Sequence, residues 1–455
     1  MKKINLGLLG VILSLAVPTM LEQVMQTAVQ YIDVFMVGKL GTEAMATVGS
    51  TTTVNWLISS SISALSIGFL ATISRSLGAG DKSAAKKYTM QAVLVTILCG
   101  SLFTVLTLLL SPFVPTLMQV DPKIKEITAK YFFILYLPTL PKTATIVFGT
   151  ALRAAGDTKT PMKIGILVNA INVVLNFFLI YPTRTVKIFS FCVKIYGANL
   201  SVTGAAIASA VSILIGGAFI TVALLKHSVL SPLGEKFKLD FKVLKPCLKI
   251  ALPNMLQRFG TSFGYVVFAS MINSLGEVAT AAHTVANTVE SAFYIPAYGM
   301  QTAAATLAGN CLGAKDNKKM KDFSSLIILV EILLMTLSGA ILFIFAPKMA
   351  ALFSSDVNVI NLGSTVLKMV AVSEPIYGVS IIIEGILQGV GNTKTPFIYN
   401  IIGMWGVRIL GTAICINLFS LGLVSAWCSM ILHNLLLFAL FLRFFLKGKW
   451  NPLKN

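Results

Sequence analysis

The sequence predicts an all-α polytopic membrane protein with twelve transmembrane helices in two pseudo-symmetric six-helix lobes. Three observations predict it. The 455 residues are 56% apolar and only 12% charged, with a mean hydropathy of +0.84, whereas roughly a quarter of the residues of a soluble domain are charged. Twelve apolar stretches reach or approach the ~20 residues that cross a bilayer. A set of short motifs also recurs 235 positions further along the chain, in one register.

The apolar stretches fall at about 6–37, 44–74, 88–111, 131–152, 162–181, 203–225, 250–274, 280–310, 323–346, 369–388, 397–417 and 423–446. The first follows Met1-Lys2-Lys3, which resembles a signal peptide. Its apolar run continues past Pro18 to Gly38 without a clear small-residue cleavage site, so it is read as an uncleaved span.

A net charge of +19 would point to nucleic acid in a soluble chain. Here its distribution points to topology. With a cytoplasmic N-terminus, the inner segments carry 24 of the 36 Lys and Arg, the outer loops 9, and three (Lys142, Arg258, Arg408) lie within spans. Positive charge resists translocation, so both termini are expected in the cytoplasm and the protein in the cytoplasmic membrane. The bilayer is then the expected partner, nucleic acid is not, and the chain is expected to act as a monomer. The six cysteines are scattered without a Cys-x-x-Cys and read as small apolar residues.

The repeat is carried by several independent pairs. Pro18 recurs at Pro253, Leu40-Gly41 at Leu275-Gly276, and Pro112 and Asp121 at Pro347 and Asp356. Leu77-Gly78-Ala79-x-Asp81 recurs at Leu312-Gly313-Ala314-x-Asp316, and Gly156-x-Thr158-Lys159-Thr160-Pro161 at Gly391-x-Thr393-Lys394-Thr395-Pro396. One register held over about 140 residues signals duplication. Each copy holds an even number of spans, so both share one orientation and are related by an axis along the membrane normal, with a cavity between them. The expected organisation is a first lobe over 1–225, a cytoplasmic linker over 226–249 and a second lobe over 250–455. Gly78, Gly156 and Gly391 are read as turn glycines that supply backbone freedom.

Polar groups inside spans need a partner, a wet cavity or a job, because an ionisable side chain at mid-membrane costs roughly 2.5–3.5 kcal/mol. Glu22, Gln26, Gln30 and Asp33 form one helical stripe on the first span. Asn169, Asn172 and Asn176 share a face of the fifth. Asp33, Asn176 and Ser209 of the sixth span all lie about 9 Å below the outer surface, counting 1.5 Å per residue. An acid, amides and a hydroxyl thus share one layer of the first lobe. The bland alternatives are an interfacial acid at Asp33 and interhelical hydrogen bonds of about 0.6 kcal/mol at the asparagines.

The second lobe does not copy this layer, since the counterpart of Asp33 is Phe268. His283, Asn287, Glu290 and Tyr294 form its own stripe on the eighth span. Glu290 at about 21 Å and Arg258 at about 24 Å of depth are level enough to pair, with Glu384 a rival partner for Arg258. Glu374 and Arg408 are expected to pair in the outer half. Structural charge pairing is favoured over substrate contact for Arg258, Glu384, Glu374 and Arg408. Glu22, Gln26, Gln30, Asn169, Asn287, Glu290 and Tyr294 remain candidates for lining the substrate cavity.

These residues also resemble the multidrug and toxic compound extrusion family, along essentially the whole chain. The resemblance is carried by Ile32-Asp33-Val34-Phe35-Met36-Val37-Gly38, by Leu77-Gly78-Ala79-Gly80-Asp81, by Leu152-Arg153-Ala154-Ala155-Gly156-Asp157-Thr158, and by Ile295-Pro296 with the run 303–313. It implies a two-lobed twelve-helix exporter of organic cations and amphiphilic drugs, driven by proton or sodium antiport and needing no cofactor. Asp33 matches the family's first-span acid and Asn172 an asparagine of its ion site. Ser209 stands where some members have Thr. Asn176 departs from relatives that have Asp there, which removes a second carboxylate. Thr261 stands where some sodium-coupled relatives carry a seventh-span Glu.

The coupling set implied is therefore Asp33, Asn172, Asn176 and Ser209, with a proton or sodium as the ion. The rival within the same superfamily is a lipid-linked saccharide flippase, which needs a basic cavity; only Arg258 and Arg408 argue for one. An intramembrane metal hydrolase is disfavoured by three histidines and no His-Glu-x-x-His, and ATP hydrolysis by the lack of a Gly-x-x-x-x-Gly-Lys-Ser/Thr loop. An ion channel is disfavoured because no short re-entrant spans are evident.

Overall fold

The computed structural model describes residues 6–118, 120–188 and 191–454. Its helices form twelve spans in two sets of six. The first set is Leu6–Gly38, Thr42–Gly78, Lys82–Leu110, a fourth span in two pieces (Lys125–Tyr136 and Thr139–Ala154), Lys159–Leu179 and Ser201–Lys226. The second set is Phe241–Asn273, Glu277–Gly313, Asn317–Ala351, Val357–Gly389, Lys394–Leu418 and Leu423–Leu446. The fourth span bends by 44° at the break around Pro138, where proline lacks the N–H that a continuous helix uses. One departure from an all-helical chain is an antiparallel hairpin of β1 (Pro182–Ile188) and β2 (Phe191–Ala198) between the fifth and sixth spans.

Nine described helices are individually long and apolar enough to cross a membrane, and the bent pair makes a tenth span. Phe241–Asn273 and Glu277–Gly313 have 33 and 37 residues, ample length, but are more polar. They carry Gln257, Arg258, Asn287 and Glu290, which line an internal cavity. Two helix starts differ most from the sequence reading. The seventh begins at Phe241 instead of 250 and the tenth at Val357 instead of 369. Each is capped by an aspartate, Asp240 or Asp356, whose carboxylate accepts from the backbone N–H two residues on, a start signal that an apolar pattern does not register.

The 235-residue register reappears as backbone geometry. Gly41 and Gly276 both have positive φ before the second and eighth spans, and Gly156 and Gly391 both have φ of 85° after the fourth and tenth. Asp81 and Asp316 each cap the following helix by accepting from the backbone N–H three residues on, both at 2.8 Å. Gly80, at φ 76°, is replaced in the second copy by Lys315 at φ 55°.

Gly78 and Gly313 have a different reason from the turn freedom expected of Gly78. Both are helical, and a Cβ on Gly78 would overlap the carbonyl of Asn310, while one on Gly313 would overlap that of Arg75. Since Asn310 is the repeat partner of Arg75, the second and eighth spans clasp each other across the pseudo-two-fold axis at their C-terminal ends. Two glycines allow that approach.

The lobes share the first span. Near its start, Leu8, Ile12, Leu15 and Ala16 pack with Met300, Leu307 and Phe323 of the second copy. Thr19 Oγ1 also donates to the Gly299 carbonyl at 2.9 Å. Near its end, Met36 and Val37 pack with Ile180 and Ala206 of the first copy, and Tyr181 donates to the Met36 carbonyl at 2.9 Å. The helix is unbroken through Pro18.

Candidate functional site

In the first lobe, three helices converge on one hydrogen-bonded run. Asn172 Nδ2 donates to Ser209 Oγ at 3.2 Å, Asn176 Nδ2 donates to Asn172 Oδ1 at 3.1 Å, and Asn176 Nδ2 donates to Asp33 Oδ1 at 2.6 Å. The i, i+4 spacing stacks the two amides on one face of the fifth span, and the sixth and first spans bring the hydroxyl and the acid to its ends. Asn172 and Asn176 are buried and Asp33 half-buried. Asn176 Oδ1 is buried without a hydrogen-bond partner, a costly condition for an amide oxygen in a low-dielectric region. Asn169, one turn earlier, leaves its Nδ2 buried and unpartnered as well.

The remaining members of the first-span stripe diverge. Gln26 and Gln30 are exposed. Glu22 is not free to face a substrate: Arg153 Nη2 donates to both of its carboxylate oxygens at 2.7 Å, and this is the one ion pair among the described residues. Arg153 sits in the last turn of the fourth span. Charge counting alone places such an arginine with the basic residues that follow the span, Lys159 and Lys163, and gives it no partner. Glu22 is therefore corrected from a cavity candidate to one half of an ion pair that ties the first span to the fourth.

A cavity of about 140 Å³ is lined mainly by the second lobe, with Trp56 of the first on its wall, and includes the predicted Asn287, Glu290 and Tyr294 together with Arg258, Glu384 and Arg408. The expected charge pairs are absent among the described residues. Arg258 pairs with neither Glu290 nor Glu384, and Glu374 does not pair with Arg408. Glu384 instead accepts from three neutral amides, Gln257 at 2.9 Å, Gln388 at 3.1 Å and Asn400 at 3.1 Å. The Arg408 guanidinium lies over the rings of Phe268 at 4.4 Å and Tyr265 at 4.8 Å.

The reason for the mismatch is azimuth. Glu374 faces the ninth span, where its Cβ lies against the backbone of Gly339, while Arg408 lines the cavity from a π-helical stretch, Ile402–Ile409. A π-helical insertion rotates the side chains that follow it, a recurrent device at functional sites.

One buried acid is not among the sequence candidates. Glu331 on the ninth span is fully buried, its carboxyl lies against the backbone of Gly378, and neither oxygen has a partner. Glu374 is likewise buried with both oxygens unpartnered. A single acid in an apolar helix forms no stripe, so periodicity did not mark Glu331. In the first lobe Lys142 Nζ donates to Asn55 Oδ1 at 2.5 Å, a partner that the position of the lysine within a span does not reveal.

The fold and these sites define a two-lobed, multi-pass helical membrane protein with a polar layer in one lobe and a charged cavity in the other. The model of the MatE family matches residues 18–178 and again 253–414, and the chain belongs to that family of multidrug efflux transporters. The two matches start 235 residues apart, the interval of the internal repeat. The chain is 28% identical over 446 residues to the "probable multidrug resistance protein NorM" of Thermotoga maritima, covering 96% of this chain and 92% of that one. It is 24% identical over 454 residues to the human multidrug and toxin extrusion protein 1, covering 97% and 75%. Among solved structures, a MOP superfamily transporter from Pyrococcus furiosus superposes with a TM-score of 0.88 at 22% identity, covering 98% of this chain and 96% of that one. A multidrug resistance MATE transporter in an outward-facing conformation matches with the same score at 23% identity.

Proposed function

We propose that this chain is a secondary active exporter that moves organic cations and amphiphilic drugs outward by alternating access between its lobes, in antiport with protons or sodium ions. The names of the Thermotoga maritima and human relatives support drug export. The excess of Lys and Arg on one side of the predicted topology supports cytoplasmic termini and insertion in the cytoplasmic membrane.

The observation that carries the coupling is the pairing of Asp33 with an amide whose oxygen has no donor. Asp33 Oδ1 receives the Asn176 N–H, while Asn176 Oδ1 is left unsatisfied. A protonated Asp33 can donate to such an oxygen, and sodium is held by carboxylate and carbonyl oxygens. Either ion supplies what the site lacks. With the ion absent, Asp33 is an anion that attracts a cationic substrate or water. With the ion present, that attraction is cancelled. Ion and substrate are therefore antagonists, and their coupling is reciprocal at equilibrium.

The two conformations require the lobes to rock about shared elements. The first span qualifies, since its inner half packs on the second copy and its outer end on the first. The test is efflux of a fluorescent cation from vesicles holding the purified protein, with pH and sodium gradients imposed separately. One gradient accelerates efflux on this reading; stimulation by neither contradicts coupled export.

A further inference from the structure

We propose that the crevice between the first and ninth spans binds a phospholipid with a phosphoethanolamine headgroup. Its phosphate meets Lys318 and Lys319, and its ammonium meets Asp322. The crevice has a volume of about 370 Å³ and is lined by Leu8 and Val11 near the start of the first span and by Asp316, Lys318, Lys319 and Asp322 at the start of the ninth. It shares no residue with the charged cavity or with the Asp33 layer, and the export mechanism makes no use of it.

The charges at this end of the ninth span are not spent on one another. Asp316 serves the fold, since its carboxylate accepts from the Lys319 backbone N–H at 2.8 Å and caps the helix. Lys318 and Asp322 stand at i, i+4 and Lys319 and Asp322 at i, i+3, spacings at which opposite charges meet on a helix surface. Neither pair forms, because Glu22–Arg153 is the one ion pair among the described residues. Lys318 and Lys319 are exposed and Asp322 half-buried, and all three line the crevice. Two basic and two acidic residues leave the lining with no net charge to draw an anionic lipid. A zwitterion matches both signs at once.

The facing wall fits an acyl chain. Leu8 packs in the same cluster as Met320 and Phe323 of the ninth span, while Val11 is 43% exposed beside the charges. Aliphatic wall and charged groups thus meet at the ends of two apolar spans, as headgroup and acyl chain do in a bilayer, and basic pockets between spans are a recurrent means of holding headgroups. The lysine stems can lie along the apolar surface with their ammoniums at headgroup level. Ethanolamine is favoured over choline because its ammonium has N–H groups to donate to the Asp322 carboxylate, a charge-assisted bond that a trimethylammonium cannot make. A lipid seated here joins the first span to the ninth, beside the cluster through which the first span packs on the second copy.

The test is native mass spectrometry of the purified full chain in detergent, titrated with phosphatidylethanolamine, phosphatidylcholine and phosphatidylglycerol of identical acyl chains. The first ethanolamine lipid should bind about fivefold more tightly than either of the others, the scale of one exposed ion pair. Asp322→Asn should bring the ethanolamine lipid to within about twofold of the choline lipid and should not weaken the glycerol lipid. Lys318→Gln with Lys319→Gln should weaken the ethanolamine and glycerol lipids together. Val11→Trp fills the crevice from its apolar wall and should lower ethanolamine-lipid affinity by about fivefold or more, which keeps the test decisive if a charge variant does not fold. Equal binding of the ethanolamine and choline lipids overturns the proposal in favour of an unspecific acyl belt. Tighter binding of the glycerol lipid overturns it in favour of general attraction to the basic surface. An ethanolamine preference that survives Asp322→Asn, or that Val11→Trp leaves unchanged, also overturns it, since the lipid then sits elsewhere.

Discussion

Gly78 lies with its Cα against the carbonyl of Asn310, and the repeat-related Gly313 lies in the same way against the carbonyl of Arg75. This reciprocal contact closes the C-terminal ends of the second and eighth spans onto each other and fixes how closely the two copies approach. Gly78→Val should push the helices apart and lower stability by about 1–3 kcal/mol, the usual cost of overpacking a close contact. Gly10→Ala, at a position with nothing within 4 Å, serves as the neutral control. Thermal melting of the detergent-solubilised protein distinguishes them.

The Glu22–Arg153 pair is mostly buried, with side-chain exposures of 10% and 16%. Removing one partner leaves a charge without compensation, so Glu22→Gln alone should cost about 3 kcal/mol. The combined Glu22→Gln and Arg153→Gln protein should be closer to native than the sum of the two single losses. A double-mutant cycle by melting measures that coupling, and strict additivity would show that the pair is incidental.

Glu331 and Glu384 are both internal acids but differ in their surroundings. Glu331 has no partner for either oxygen, so Glu331→Met should leave stability unchanged or raise it by about 1 kcal/mol. Glu384→Gln presents an amide N–H to the donors of Gln257, Gln388 and Asn400, which should cost about 1–3 kcal/mol. Comparison of the two melting shifts checks the sign of each.

The degree to which the sequence disclosed these features follows from what helical periodicity encodes. The repeat was legible because Gly41, Asp81, Gly156 and their partners occupy backbone positions that admit few residues. The first-lobe layer was legible because Asn172 and Asn176 share a face and Asp33 and Ser209 lie at the same counted depth. Counting residues gives a level within a helix but not the direction in which a side chain faces another helix. The Arg258–Glu384 and Glu374–Arg408 pairings failed for that reason. The count for Glu374 also began at 369, while the helix begins at Val357, which moves Glu374 to the middle of the span. Arg153 lies in the last turn of its helix close to the basic Lys159 and Lys163, so sequence alone does not mark it as internal; its pairing with Glu22 does.

The Asp33–Asn176 contact at 2.6 Å is the point at which ion and substrate are proposed to exclude one another. Asp33→Asn keeps the size and hydrogen-bonding capacity of the side chain and removes its titratable charge. The direct measurement is gradient-driven efflux by this variant in vesicles, alongside its equilibrium binding of the same fluorescent cation. The account predicts that binding no longer responds to the coupling ion and that efflux falls to the rate without a gradient. A correctly inserted Asp33→Asn protein that still drives ion-dependent efflux at the native rate would contradict it.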